Sequence, residues 1–177
     1  MQTFFNNPAR LHQLQTAARG WLGTPFVPHA CIAGAGVDCV NLCAQIYLAT
    51  GFLGSMQFPA YTMDGGKHNV RSQLIEFLEG RNDFVRVPAP ITGDVRPGDL
   101  LCFTTGRSAH HTGIMLDLPL FIHSLFSRSV TLGNLRDRSF SRRLTAVYRP
   151  VERVHEPVAG GLKVIASPAT SHPSPAA

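Results

Sequence analysis

A chain of 177 residues, 44% hydrophobic and 15% charged, is one domain's worth of length and excludes both a wholly disordered and a collagen-like protein. Its 16 basic residues, nearly all arginine, outweigh 11 acidic ones and leave a formal charge of +5. No run of about 18 uncharged apolar residues exists, so a membrane span is excluded, and the start Met1-Gln2-Thr3-Phe4-Phe5 lacks the basic and apolar regions of a secretory signal. Cys31, Cys39, Cys43 and Cys102 are accordingly expected as reduced thiols rather than disulfides.

Asn7 and Pro8 suit the cap and first turn of a helix in which Leu11, Leu14 and Ala18 recur at helical spacing, and Gly20 and Gly23 end it. Thr24 to Pro28 reads as extended chain. A loop with Gly34 and Gly36 leads into a second helix, whose Val40, Cys43, Ala44 and Tyr47 share an apolar face. Asp38 sits at its cap and Gly51 at its stop, so Cys39 falls on the first turn. Residues 54–67 read as loop, and residues 70–78 as a third helix closed by Gly80. Beyond Pro88 the apolar runs shorten, predicting strands at 100–103, 113–116, 120–123, 129–132 and 144–148. Helices followed by strands in one domain predict an α+β fold, with N-terminal helices packed on an antiparallel sheet of about five strands. That domain is expected over residues 1–155. Residues 156–177, rich in proline and alanine and without an aromatic, read as a flexible or partner-ordered tail.

A cysteine on a helix tip feels the positive end of the macrodipole, which favours the thiolate, and the free N–H groups there can hold an oxyanion. Cys39 is therefore the candidate nucleophile. His111 precedes one predicted strand and His123 ends the next, with a tight turn near Asp117–Pro119 between them. A hairpin of that length brings the two histidines together, so that one imidazole can act as base while the other orients it. His110 is the rival for the base. Cys39 and Cys43 lie one helical turn apart, but with Cys31 and His29 they match no compact zinc spacing, so neither metal nor cofactor is expected. His29 either lines the cleft or is a polar loop residue. Arg128, Arg136, Arg138, Arg142, Arg143 and Arg149 read as a solvated hairpin face or a contact for an anionic wall or acidic partner. No nucleic-acid module accompanies them, so nucleic acid is not an expected partner.

These segments resemble the NlpC-type cell-wall cysteine peptidases of the papain-like superfamily, and most the branch carried by tailed phages and gene transfer agents. The likeness runs through Gly20-Trp21-Leu22-Gly23-Thr24-Pro25-Phe26, the nucleophile segment Gly34-Ala35-Gly36-Val37-Asp38-Cys39, and Arg96-Pro97-Gly98-Asp99-Leu100-Leu101-Cys102-Phe103. It resumes at His111-Thr112-Gly113-Ile114 and Phe121-Ile122-His123-Ser124 and closes at Tyr148-Arg149-Pro150, covering about residues 10 to 150. The resemblance implies hydrolysis of amide bonds in peptidoglycan stem peptides, usually between D-glutamate and diaminopimelate or lysine. Cys39 would attack, His111 would move the proton and His123 would hold its ring. Phe26, Asp38 and His29 are the candidate substrate-binding residues. Relatives often carry Ser-Gly where this chain has Val40-Asn41, and Tyr in place of Phe26, which supplies no hydroxyl.

The resemblance also implies a component of a virion tail or phage-like particle, made in the host cytoplasm, with tail-tip or hub proteins as partners. Two alternatives stand beside this. One is a structural tail-tip or hub-associated protein that keeps the fold with little hydrolysis, and the other an amide-hydrolysing enzyme acting on a non-wall substrate.

Overall fold

The computed structural model describes residues 1–55, 61, 72–88 and 93–152. The expected tail at 156–177, most of the 54–67 loop and the start of the helix expected at 70–78 lie outside the described residues. Helix α1 spans Pro8–Arg19, capped by the Asn7 side chain, which accepts from the Arg10 N–H. Two short strands, β1 (Cys31–Ile32) and β2 (Gly36–Val37), form a small hairpin where the sequence reads as glycine loop. Helix α2 (Cys39–Ala49) follows at once, and α3 (Gln73–Glu79) begins under a Ser72 cap.

The chain then lays down β3 (Phe84–Arg86), β4 (Leu100–Thr105), β5 (Ser108–Asp117), β6 (Leu120–Ser124), β7 (Val130–Asn134) and β8 (Leu144–Pro150), with a single turn of helix α4 (Arg138–Ser141) before the last. All pairs are antiparallel, in the order β3-β8-β4-β5-β6-β7. The sheet has six strands rather than about five, because the three-residue edge strand β3 is too short to show a period of two. The strand bearing His111 also starts earlier than expected, so His111 lies inside β5 rather than before it.

Alternation along the strands divides the interior in two. Leu100, Cys102, Ile114, Ile122, Ala146 and Tyr148 face the helices and pack with Leu42, Ile46 and Tyr47 of α2. Leu101, Phe103, Met115, Phe121 and Val147 face the other way and are covered by Leu135 and Phe140. Arg149 is no part of a solvated face. Its guanidinium bonds Asp99 at 2.8 and 3.0 Å and also reaches Asp94. Asp99 in turn accepts from the Arg96 N–H, which fixes the turn into β4.

The two ends of the described chain are clasped. Thr3 bridges Val151, the Phe4 N–H donates to the Pro150 carbonyl, and the Glu152 N–H donates to the Gln2 carbonyl. Arg10 straps the pair, donating to the Phe4 carbonyl at 2.7 Å and to Glu152 at 2.6 Å.

Candidate active site

Cys39 is the first residue of α2, as its place after a capping aspartate requires. Asp38 is fully buried, and its carboxylate is saturated by the chain itself. Oδ1 accepts from the Asn41 N–H at 2.8 Å. Oδ2 accepts from the His29 N–H at 2.8 Å, the Asn41 side-chain amide at 3.2 Å and the Tyr61 hydroxyl at 2.6 Å. One carboxylate thus ties together the loop before β1, the tip of α2 and Tyr61.

The helix tip rests on β5. Thr112 Oγ1 donates to the Cys39 carbonyl at 2.9 Å, and the Cys39 thiol lies 3.9 Å from the His110 carbonyl. Between them stands His111. Phe103 pairs with His111 and Thr104 with Ala109, so His110 is the extra residue of a bulge. Without it Ala109 and His111 would share a face. With it, Ala109 packs among the helix-facing residues while the His111 ring packs on Phe103, and the His110 carbonyl is turned to the thiol. The His111 Nε2 and His123 Nδ1 atoms are 2.9 Å apart, a hydrogen bond across the β5–β6 hairpin. His123 stands directly opposite Gly113, so it meets His111 on the diagonal. A Cβ on Gly113 would lie 2.8 Å from the Ile122 carbonyl and 3.3 Å from the His123 Cβ, so only glycine admits this approach. No hydrogen bond joins the thiol to either ring.

A sequence profile of the NlpC/P60 family matches residues 23–149, which includes every one of these groups. The chain belongs to the NlpC/P60 family. No curated protein matches it. Among solved structures it is similar to a lipoprotein-like NLP/P60 protein from Staphylococcus aureus, at a TM-score of 0.59 and 17% identity over 86% of this chain and 45% of that one. It is also similar to the NlpC/P60 domain of the peptidoglycan hydrolase SagA, at 0.51 and 18% over 80% of this chain and 98% of that one. The peptidoglycan hydrolase RipB from Mycobacterium tuberculosis aligns at 0.52 and 19% over 82% of this chain and 66% of that one. The chain thus spans less than half of the S. aureus protein. The shared architecture is mixed α+β, with N-terminal helices on a large antiparallel sheet.

In this NlpC/P60 domain the electrostatics run against the thiolate expected at a helix tip. Burial is the largest influence on Cys39 and pushes its thiol from 9.0 up to about 11, while the neighbouring Thr112 pulls more weakly the other way. Cys39 is only 4% exposed, so loss of hydration outweighs the macrodipole. Burial likewise lowers His111 from 6.5 to about 3, assisted by His123 and His110, and lowers His123 to about 4. Near neutral pH the site therefore holds an uncharged thiol and two uncharged imidazoles.

The remaining candidates fall around this centre. Phe26 bridges Val37, two residues before Cys39, and its ring meets the exposed Phe126 edge-on at 5.4 Å. His29 has a positive φ of 58°, offers its N–H to Asp38 and lays its ring 4.8 Å from that of Tyr61. Tyr61 and Thr112 were not among the residues expected to act. Thr112 lies inside the His111 segment, whereas nothing local in the sequence marks Tyr61, whose place depends on a contact 23 residues away. Cys43 and Cys102 are buried core residues, and Cys31 is exposed on the small hairpin. Among the described residues no group of three or more His, Cys, Asp or Glu could hold a metal, and no helix is long and apolar enough to cross a membrane.

Proposed function

We propose that this NlpC/P60 domain is a cysteine peptidase that hydrolyses amide bonds in peptidoglycan stem peptides, of the D-glutamyl-diaminopimelate type. The observation that carries the reading is the His111–His123 hydrogen bond, made on the strand whose Thr112 holds the carbonyl of the buried Cys39. It occupies the His111 Nε2 and leaves Nδ1 without a partner among the described residues. In the tautomer this requires, His111 donates Nε2–H to His123 Nδ1 and presents a lone pair on Nδ1.

As Sγ bonds to the substrate carbonyl carbon, its proton passes to His111 Nδ1, so charge appears only as the bond forms. The Asn41 N–H is already committed to Asp38, which leaves the Cys39 and Val40 N–H groups to meet the oxyanion. His111 then protonates the leaving amine, the C–N bond breaks and a thioester remains. A water deprotonated by His111 releases the acid and restores the thiol. The resting thiol is turned to the His110 carbonyl, and hydrogen bonds of this kind commonly tighten only when substrate is bound. Asp38 positions rather than binds, since it is fully buried and both its oxygens are engaged from within. A phage-like tail as carrier, with tail-tip or hub proteins as partners, is part of the same proposal and rests on the sequence resemblance alone.

Incubation with purified muropeptides tests the reading. Wild type should release a new free amine. Cys39→Ala and His111→Ala should each lose about 10³-fold or more of that rate while remaining folded. A second reading, a structural tail protein with little hydrolysis, draws on the deep burial of Cys39. A folded wild type that releases no amine from any muropeptide would favour it.

A further inference from the structure

We infer that Tyr61 is a positioning residue for the nucleophile, its hydroxyl holding the Asp38 carboxylate and drawing off charge that would otherwise bear on Cys39. Asp38 is fully buried, and among the described residues no arginine, lysine or histidine forms an ion pair with it. Among those residues its charge is met by hydrogen-bond donors instead. Three of these, the His29 N–H and the N–H and side-chain amide of Asn41, come from the nucleophile segment itself. The fourth, the Tyr61 hydroxyl, reaches in from 23 residues further along the chain and makes the shortest bond, 2.6 Å. The same hydroxyl accepts from the Asn41 amide at 3.2 Å, so Asp38, Asn41 and Tyr61 close a ring of hydrogen bonds in which each bond polarises the next. The Tyr61 ring lies 4.8 Å from that of His29, which sets the approach of the hydroxyl.

The link to Cys39 is short. Asp38 caps α2 through the Asn41 N–H at 2.8 Å, and Cys39 is the next residue. The carboxylate therefore stands at the tip where the thiol must give up its proton and the oxyanion must form. A negative charge there opposes both events, and Asp38 does act against ionisation of Cys39. A charge-assisted bond from a phenol spreads that charge over a third oxygen. Burial, and then the bond to Asp38, push the Tyr61 hydroxyl well above its ordinary value, so it stays a donor through the neutral and mildly alkaline range. The inference rests on Cys39 as the nucleophile, the reading proposed above, and adds a residue to it.

Alkylation of Cys39 at about pH 9, followed by peptide mapping in a mass spectrometer, reads the charge at the tip without substrate. Tyr61→Phe keeps the ring and removes only the oxygen. It should slow Cys39 labelling about threefold to tenfold, the scale of a neighbouring charge left less well satisfied, whereas a merely loosened tip would expose the thiol and label faster. In an Asp38→Asn background, where the amide keeps the cap and loses the charge, Tyr61→Phe should change the rate by less than about twofold. A ring-fluorinated tyrosine at position 61, a stronger donor of nearly the same shape, should speed labelling, and it serves where Tyr61→Phe fails to fold. On muropeptides Tyr61→Phe should lower kcat by a similar factor, with KM unchanged within about twofold. Faster or unchanged labelling in Tyr61→Phe, slower labelling with the fluorinated residue, or an equal slowing with and without the Asp38 charge would overturn the role, as would a raised KM at constant kcat. The expected labelling pattern in a protein that cleaves no muropeptide would remove the hydrolase and leave the role of Tyr61. Cleavage and labelling both unaltered by Tyr61→Phe would do the reverse.

Discussion

Cys39 is a buried, neutral thiol turned to the His110 carbonyl, and this sets its chemistry apart from that of a standing thiolate–imidazolium pair. At pH 7 a small alkylating reagent should label the exposed Cys31 about tenfold or more faster than Cys39, read by peptide mapping in a mass spectrometer. Faster labelling of Cys39 would show a thiolate already present. In the proposed mechanism His123 acts through His111, so His123→Ala should lower kcat by about 10²-fold with little change in KM, and His123→Gln should recover part of the loss. The sequence made Cys39, His111 and His123 visible, because a capping aspartate and a short hairpin are local signals. The depth of Cys39 was not visible, because a helix tip looks hydrated until the strand that covers it is known. Tyr61 was hidden for a related reason: its hydroxyl meets Asp38 and Asn41, both far away in the chain.

Among the elements, the β5–β6 hairpin does most to build the site. Its register places Gly113 against His123, and the bulge at His110 turns the next ring onto Phe103. Gly113→Ala should destabilise the domain by about 1–3 kcal/mol through overpacking and should also part the two imidazoles. Urea denaturation measures the first effect, and the NMR shifts of the ring protons the second. An alanine accommodated without either would mean that the strands are less closely packed than described. The caps of α1 and α2 and five of the six sheet strands were legible from side-chain type and alternation. The β1–β2 hairpin and β3 were not, since two or three residues cannot display a period. The bulge left no trace in the sequence, because it follows from the pairing of Thr104 with Ala109 and of Phe103 with His111, and not from residue type.

At the scale of the whole molecule, the buried imidazoles make stability depend on pH. His111 and His123 titrate at about 3 and about 4 when folded, against 6.5 as the ordinary value. Between those limits the unfolded chain binds protons that the native state refuses. Their contribution is complete above about pH 6.5 and is lost as pH falls, with a slope of up to about 1.4 kcal/mol per pH unit for each histidine. Denaturation midpoints at pH 7 and 4.5 should differ accordingly, and the double variant His111→Phe/His123→Phe should flatten the dependence. The Arg149 network with Asp94 and Asp99 is the other global strut. Arg149→Met strands a carboxylate that is 1% exposed, and should cost about 3–5 kcal/mol by thermal or chemical unfolding. The strapped ends have their own consequence. Because Gln2 and Glu152 share a hydrogen bond, the backbone runs nearly in a ring, and a short peptide joining those two positions would need to span only a few ångströms. A circular permutant with new ends in an exposed turn, such as Leu118, should therefore fold, and cargo fused before or after the domain would hang from one common corner.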